Sequence, residues 1–61
     1  MKDVVITFNN GKTVHYLNAE YHYENGDVVV KEYEQDEYGG YHIADIHLFD
    51  ESKIKEIKYE G

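Results

Sequence analysis

The feature that most constrains this fold is the pair Asn25-Gly26, which lies between two runs of strand-forming residues. Residues 19–33 read AEYHYENGDVVVKEY, with tyrosines before the pair and valines after it. A two-residue type I′ turn needs a positive φ at both central positions, and asparagine and glycine adopt that conformation most readily. We therefore predict a β-hairpin that reverses direction at Asn25-Gly26.

The length of this turn sets which residues face each other across the hairpin. A two-residue loop pairs Tyr23 with Val28, a favourable contact between an aromatic and a β-branched side chain. It also places Glu24 opposite Asp27, where like charges repel. A three-residue loop would remove that repulsion, but it would change the face that carries the valines. We prefer the two-residue loop.

The segments before the hairpin are also predicted to be strands. Residues 3–8 (DVVITF) are rich in β-branched side chains, and a second strand runs over residues 12–17 (KTVHYL). Asn9-Asn10-Gly11 between them fits a three-residue loop with Gly11 in the left-handed conformation, which pairs Val4 with Tyr16. The alternation changes phase at Leu17-Asn18, which predicts a bulge or bend at that point.

The second half of the chain begins with a polar loop at residues 34–40 (EQDEYGG), followed by a strand over residues 41–49 (YHIADIHLF). On that strand we expect Ala44, Ile46 and Leu48 to face the core, and the alternate set to face away: Tyr41, Ile43, Asp45, His47 and Phe49. Residues 53–60 (KIKEIKYE) are predicted to be a final strand. A short amphipathic helix over residues 50–57, capped by Asp50 or Ser52, is the alternative.

Together these elements predict an all-β fold with a five-stranded antiparallel meander, either a strongly bent open sheet or a small SH3-like or OB-like barrel. Sixty-one residues make a single domain, residues 1–61. At this size only about 60% of the surface can be buried, so small domains usually need an additional staple. The chain has no cysteine, which excludes a disulfide. We therefore expect a homodimer rather than a monomer.

The charge pattern indicates the kind of partner. The formal net charge is −7, and residues 20–37 hold seven acidic side chains against a single lysine, Lys31. A strongly negative region without arginine disfavours direct nucleic-acid binding and favours a partner with a basic surface. The chain has no apolar run long enough to span a membrane and no signal peptide, so we expect no membrane association and a cytoplasmic location.

The histidines and carboxylates do not predict a catalytic or metal site. His42 and His47 are five residues apart, so on a regular strand they point to opposite faces and do not converge on a metal ion. Asp45 and His47 share a strand face and form a possible acid–base pair, but no nucleophile motif accompanies them. We therefore expect a non-enzymatic protein with no catalytic residue, no bound metal and no cofactor.

Tyrosine is unusually abundant, with seven residues in this short chain. Tyrosine is enriched at protein interfaces because it offers a large contact area at a low cost in conformational entropy. The tyrosines around the acidic loop are expected to be exposed. The predicted protein-binding surface consists of Tyr33, Glu34, Asp36, Glu37, Tyr38 and Tyr41.

The segments ITFNNGKTVHYLNAEYHYENGDVVV and HIADIHLFDESKIKEIKYE resemble small β-rich proteins encoded by phages and other mobile elements of low-GC bacteria. The resemblance lies in the pattern of strands and Asn-Gly turns. It implies a non-enzymatic accessory protein in the cytoplasm of a bacterial host, which inhibits a host or defence protein, in acidic cases by occupying a groove for nucleic acid. Two alternatives remain open: a self-assembling β module without a foreign target, and a binder of a small molecule or nucleotide.

Overall fold

The computed structural model describes residues 2–61 and consists of β-strands joined by short turns. The strands are β1 (Asp3–Phe8), β2 (Thr13–Tyr16), β3 (Ala19–Glu24), β4 (Asp27–Gln35), β5 (Tyr41–Asp50) and β6 (Ile54–Glu60). A short 3-10 turn at Glu51–Lys53 connects the last two strands. Within residues 2–61, no helix has the length and apolar character needed to cross a membrane. The predicted all-β class is confirmed.

The strands form two three-stranded antiparallel sheets, in the orders β2-β1-β6 and β3-β4-β5. The core lies between the two central strands. Val4 and Ile6 of β1 pack with Val28 and Val30 of β4, and all four side chains are 0% exposed. Because the sheets remain separate, each keeps two edge strands and they do not close into a barrel.

This architecture differs from the predicted five-stranded meander in two ways. First, the predicted bend at Leu17-Asn18 is sharp: Asn18 has a φ of +48°, and β2 and β3 on either side of it belong to different sheets. There are therefore six strands. Second, β6 pairs with β1 and not with β5, which places Ile57 opposite Ile6 and Tyr59 opposite Val4. That pairing brings the apolar residues of β6 to the core that β1 already lines.

Both predicted tight turns are confirmed. Asn25 and Gly26 have φ values of +51° and +81°, as a type I′ turn requires, and the ladder pairs Tyr23 with Val28. In the first hairpin Gly11 has a φ of +88°, and its N–H donates to the Phe8 carbonyl at 2.9 Å. The preferred two-residue and three-residue loop lengths are therefore both correct.

The predicted inward face of β5 is wrong, and a β-bulge is the reason. The ladder between β4 and β5 shifts register between Glu32 and Tyr33, which leaves Ala44 as an extra residue on β5. A shift of one residue exchanges the two faces of every residue beyond it. His47 and Phe49 therefore lie opposite Val30 and Val28 and face the core. Two of the residues predicted to be internal, Ile46 and Leu48, are 51% and 67% exposed, and Ala44 is exposed as well.

The C-terminal segment is a strand, as predicted, and the helical alternative over residues 50–57 is wrong. Only one 3-10 turn forms, and Asp50 caps it by accepting from the Ser52 N–H at 2.9 Å and from the Ser52 hydroxyl at 2.8 Å. These hydrogen bonds lower the pKa of Asp50. Ile54 then opens β6 and packs against the core.

Candidate protein-binding surface

The longest strands, β4 and β5, form a hairpin whose outer half extends beyond the core. Burial falls along β4 from Val30, which is fully buried, to Glu34 and Gln35, which are exposed. The last ladder pair joins Gln35 to Tyr41. The molecule is accordingly elongated, with extents of 40 × 24 × 13 Å. We call residues 33–43 the distal hairpin.

The loop at the end of the distal hairpin is ordered by one carboxylate. Asp36 Oδ1 accepts from the backbone N–H groups of Tyr38 and Gly40, both at 2.9 Å. The Asp36 N–H in turn donates to the Gly40 carbonyl at 2.7 Å. A Cβ at Gly40 would lie 3.0 Å from the Asp36 carboxylate, so a larger residue there would push against the side chain that orders the loop. Asp36 was predicted to contact a partner, and its observed contacts show that it shapes the loop.

The structure places the six predicted contact residues at the tip, in the loop and on both faces of the distal hairpin. Tyr38 is 88% exposed at the tip, where Glu37 is exposed as well. The other four are distributed over the loop and the two faces of the hairpin: Asp36 in the loop, Tyr33 and Tyr41 on the outer face, and Glu34 on the face that continues from the core. The six residues therefore lie close along the chain, but they do not form one flat patch.

Tyr33 is less available than the sequence predicts. It is only partly exposed, and its hydroxyl donates a hydrogen bond to the Glu20 carboxylate on the neighbouring strand. This hydrogen bond raises the pKa of Tyr33, because the Glu20 carboxylate can only accept and therefore favours the protonated hydroxyl. Tyr33 is thus held against β3, whereas Tyr41 is free on the outer face.

The outer face of β5 carries an apolar surface that the sequence analysis only partly identified. Four exposed residues lie along it, which we call the β5 stripe: Tyr41, Ile43, Ile46 and Leu48. Ile46 and Leu48 were predicted to face the core because regular alternation was assumed along the whole strand. The bulge at Ala44 turns both side chains outward, beside Lys31 and Val29 of β4. No local sequence signal marks that bulge.

The opposite face of the same hairpin is polar. His47 Nε2 lies 2.5 Å from Glu32 Oε1 and 3.8 Å from Asp45 Oδ2, and its ring stacks on Tyr16 with centroids 4.4 Å apart. Further out, His42 Nε2 lies 3.7 Å from Glu34 Oε2. Burial, followed by the charges of Glu32 and Asp45, raises the pKa of Tyr16. This face therefore presents carboxylates and imidazoles, while the outer face presents aliphatic side chains.

Within residues 2–61, Glu32, Asp45 and His47 are the set whose oxygen and nitrogen atoms are close enough to hold a cation, all within 4.8 Å of one another. The bulge at Ala44 aligns Asp45 with Glu32 across the ladder. Alternation along β5 alone does not predict that alignment, so the sequence did not indicate this group of three residues. His47 Nε2 is already hydrogen-bonded to the Glu32 carboxylate.

These features define a small antiparallel β protein of two sheets with an apolar stripe beside an acidic hairpin. Comparisons with protein-family models, curated proteins and solved structures found no match for this chain.

Proposed function

We propose that this chain is a non-enzymatic, acidic binding module that covers a basic surface on another protein. The observation that carries the proposal is the exposed β5 stripe on a hairpin whose tip and opposite face carry carboxylates. An apolar strip with a charged border is the usual anatomy of a protein interface, in which the apolar part supplies buried area and the border selects the partner.

The distribution of charge supports a basic partner. Residues 19–50, which form the β3-β4-β5 sheet and its loops, hold nine carboxylates and one lysine, a net charge of −8. The remaining residues sum to +1, which accounts for the total of −7. A field concentrated on one sheet steers a Lys- or Arg-rich surface toward that sheet and speeds association at low ionic strength.

The biological setting follows from the resemblance to proteins of phages and mobile elements. The proposed target is a host or defence protein in the bacterial cytoplasm whose basic groove ordinarily holds nucleic acid. An acidic module seated in such a groove would inhibit the target by occupying it, and no chemistry by the module is needed.

The experiment compares two double variants, each of which replaces two glutamates by glutamine and so removes two negative charges. In the first, Glu34→Gln and Glu37→Gln neutralise the distal hairpin; Asp36 is left intact because it shapes the loop. In the control, Glu56→Gln and Glu60→Gln neutralise exposed positions on β6, in the other sheet. Immobilised wild-type and variant proteins are used to capture partners from a bacterial lysate, and the affinity of each captured protein is then measured at several salt concentrations.

We expect the distal variant to bind its partner about three- to tenfold more weakly, as the loss of two charges at the border of an interface predicts, and the control to be nearly unchanged. Wild-type binding should weaken as the salt concentration rises. Affinity that is independent of salt, or equally reduced in both variants, would contradict the proposal.

A homodimer joined through the β5 stripe is the second candidate, and it is favoured by the same exposed residues. Its disadvantage is electrostatic, since two copies bring together two sheets of net charge −8. Light scattering at high protein concentration distinguishes the two, because a strict monomer excludes the self-assembling alternative.

A further inference from the structure

The four edge strands of the two sheets differ in how they are protected against pairing with another chain. An unprotected edge presents a row of unpaired backbone N–H and C=O groups, and natural proteins block such edges with short strands, lysines, bulges or covering groups. Within residues 2–61, three of the four edges have protection of this kind.

On β3 the edge is covered by other parts of the chain. The Tyr21 N–H donates to the Tyr59 hydroxyl at 3.1 Å, and that hydroxyl donates to the Tyr21 carbonyl at 3.4 Å. The Ala19 N–H donates to the Lys2 carbonyl at 2.9 Å. The edge strands of the other sheet are also protected: β2 has only four residues, and β6 carries Lys55 and Lys58.

The remaining edge, β5, is ten residues long and contains neither lysine nor proline. It pairs with β4 alone, and most of its residues are exposed. It has two limited protections. One is the bulge at Ala44; the other is the Asp45 carboxylate, which accepts from the Ile46 N–H at 2.9 Å. Between the bulge and the 3-10 turn, residues 45–50 form a regular and accessible stretch of edge.

We propose that the β5 edge binds an extended segment of the basic partner as an additional antiparallel or parallel strand, and that this segment alternates apolar residues with Lys or Arg. The proposal rests on the proposed function, because it names the kind of segment that the acidic surface accepts. Strand addition of this kind combines backbone hydrogen bonds with side-chain contacts at alternate positions.

The alternation follows from the two faces of β5. Each side chain of an added strand lies beside a neighbour on the same face of the sheet. On the outer face those neighbours are Ile46 and Leu48, which favour aliphatic residues. On the other face the neighbours are Asp45, His47 and Phe49. The carboxylates of Asp45 and of Glu32, one strand away, favour Lys or Arg beside Asp45 and His47, whereas Phe49 packs against Phe8 in the core.

A second copy of this chain is a poorer occupant of the same edge. Its β3-β4-β5 sheet would bring a second net charge of −8 to the same edge, so the two sheets would repel each other. Charge complementarity therefore selects a basic segment rather than the protein itself.

The test uses synthetic heptapeptides with capped ends and a ¹⁵N-labelled protein. The first peptide alternates lysine with valine. The second has the same composition, but its lysines form one block and its valines another. The third repeats the alternating sequence with N-methyl groups on every second backbone nitrogen. It is made in two versions, one for each set of alternate N–H groups, because only one set would point toward β5. Binding is followed by amide chemical shifts at low salt.

We expect the alternating peptide to shift the amides of residues 45–49 and to bind at least about tenfold more tightly than the block peptide, because only alternation matches both faces. One of the N-methylated versions should lose binding. Leu48→Ser should weaken the alternating peptide by about fivefold through lost apolar contact. The matched control is Leu17→Ser, since Leu17 is 63% exposed but lies outside β5.

Three results would overturn strand addition. If the block and alternating peptides bind equally well, the acidic surface attracts basic ligands without pairing, and the proposed function stands while this inference fails. If no lysine peptide binds, strand addition fails, and the proposed function is decided separately by the salt dependence of the captured partners. If the protein alone is a dimer whose β5 amides are protected, the edge belongs to a second copy.

Discussion

Replacing Phe49 by alanine should destabilise the protein far more than replacing its neighbour Leu48. Phe49 lies opposite Val28 on the core side of β5, with its ring centroid 5.4 Å from that of Phe8 and 6.2 Å from that of Tyr16. Leu48 lies on the outer face and is 67% exposed. The comparison therefore tests the bulge at Ala44, which decides the face of both residues.

The expected magnitudes follow from burial. Truncating a fully buried phenylalanine to alanine costs about 3–5 kcal/mol, and because Phe49 is partly exposed we expect a loss of about 2–3 kcal/mol. Leu48→Ala removes atoms that are already in water, so its effect should stay within about 0.5 kcal/mol. A chain of this length has a free energy of unfolding of about 3–9 kcal/mol, so Phe49→Ala should remove a large part of it.

Urea unfolding followed by far-UV circular dichroism measures both variants. With an m-value of about 1 kcal/mol/M, typical of a small domain, the midpoint should fall by about 2–3 M for Phe49→Ala and by less than about 0.5 M for Leu48→Ala. Similar losses in the two variants, or a larger loss for Leu48→Ala, would refute the bulged register. A larger loss for Leu48→Ala would support the face of β5 that the sequence predicted.

Two further predictions concern hydrogen bonds that join distant segments. The Asp3 carboxylate accepts from the Asn18 N–H at 3.1 Å and lies 3.1 Å from His15, and these contacts lower the pKa of Asp3 below its usual 3.8. A lowered pKa in the folded state stabilises the protein above pH 3.8 and is lost as the pH falls further. The urea midpoint should therefore drop less between pH 5 and pH 2 in Asp3→Asn than in wild type, and parallel curves would contradict this. Tyr59→Phe removes the hydroxyl that covers the β3 edge and should cost about 0.5–1.5 kcal/mol in the same assay at neutral pH; an unchanged midpoint would show that the hydroxyl contributes nothing.

The local features of the fold were largely predictable. Turns at Asn25-Gly26 and around Gly11 depend on φ values that few residues adopt, so the residues themselves identify them. The strands follow from short-range alternation. The break at Asn18 was detected as a change of phase between two alternating runs, although its consequence, the transfer of the chain to a second sheet, was not.

The exposure of the side chains on the β4-β5 hairpin was predicted less well. Exposed Tyr38 and Tyr41 were identified correctly, because a polar loop with two glycines marks a solvent-exposed tip. Asp36 was predicted to contact a partner, and its hydrogen bonds to the backbone of the loop were not predicted. Ile46 and Leu48 were assigned to the core, but both are exposed, and they make the outer face of β5 apolar.

The sequence by itself determined the strands, the tight turns and the concentration of carboxylates on residues 19–50, since each depends on neighbours along the chain. Only the tertiary structure decided which sheet β6 joins and which face of β5 meets the core. Both choices depend on contacts between segments far apart in sequence, such as those of Phe49 with Phe8 and of His47 with Tyr16. A single bulged residue, Ala44, is enough to exchange the faces, and alternation along one strand carries no information about it.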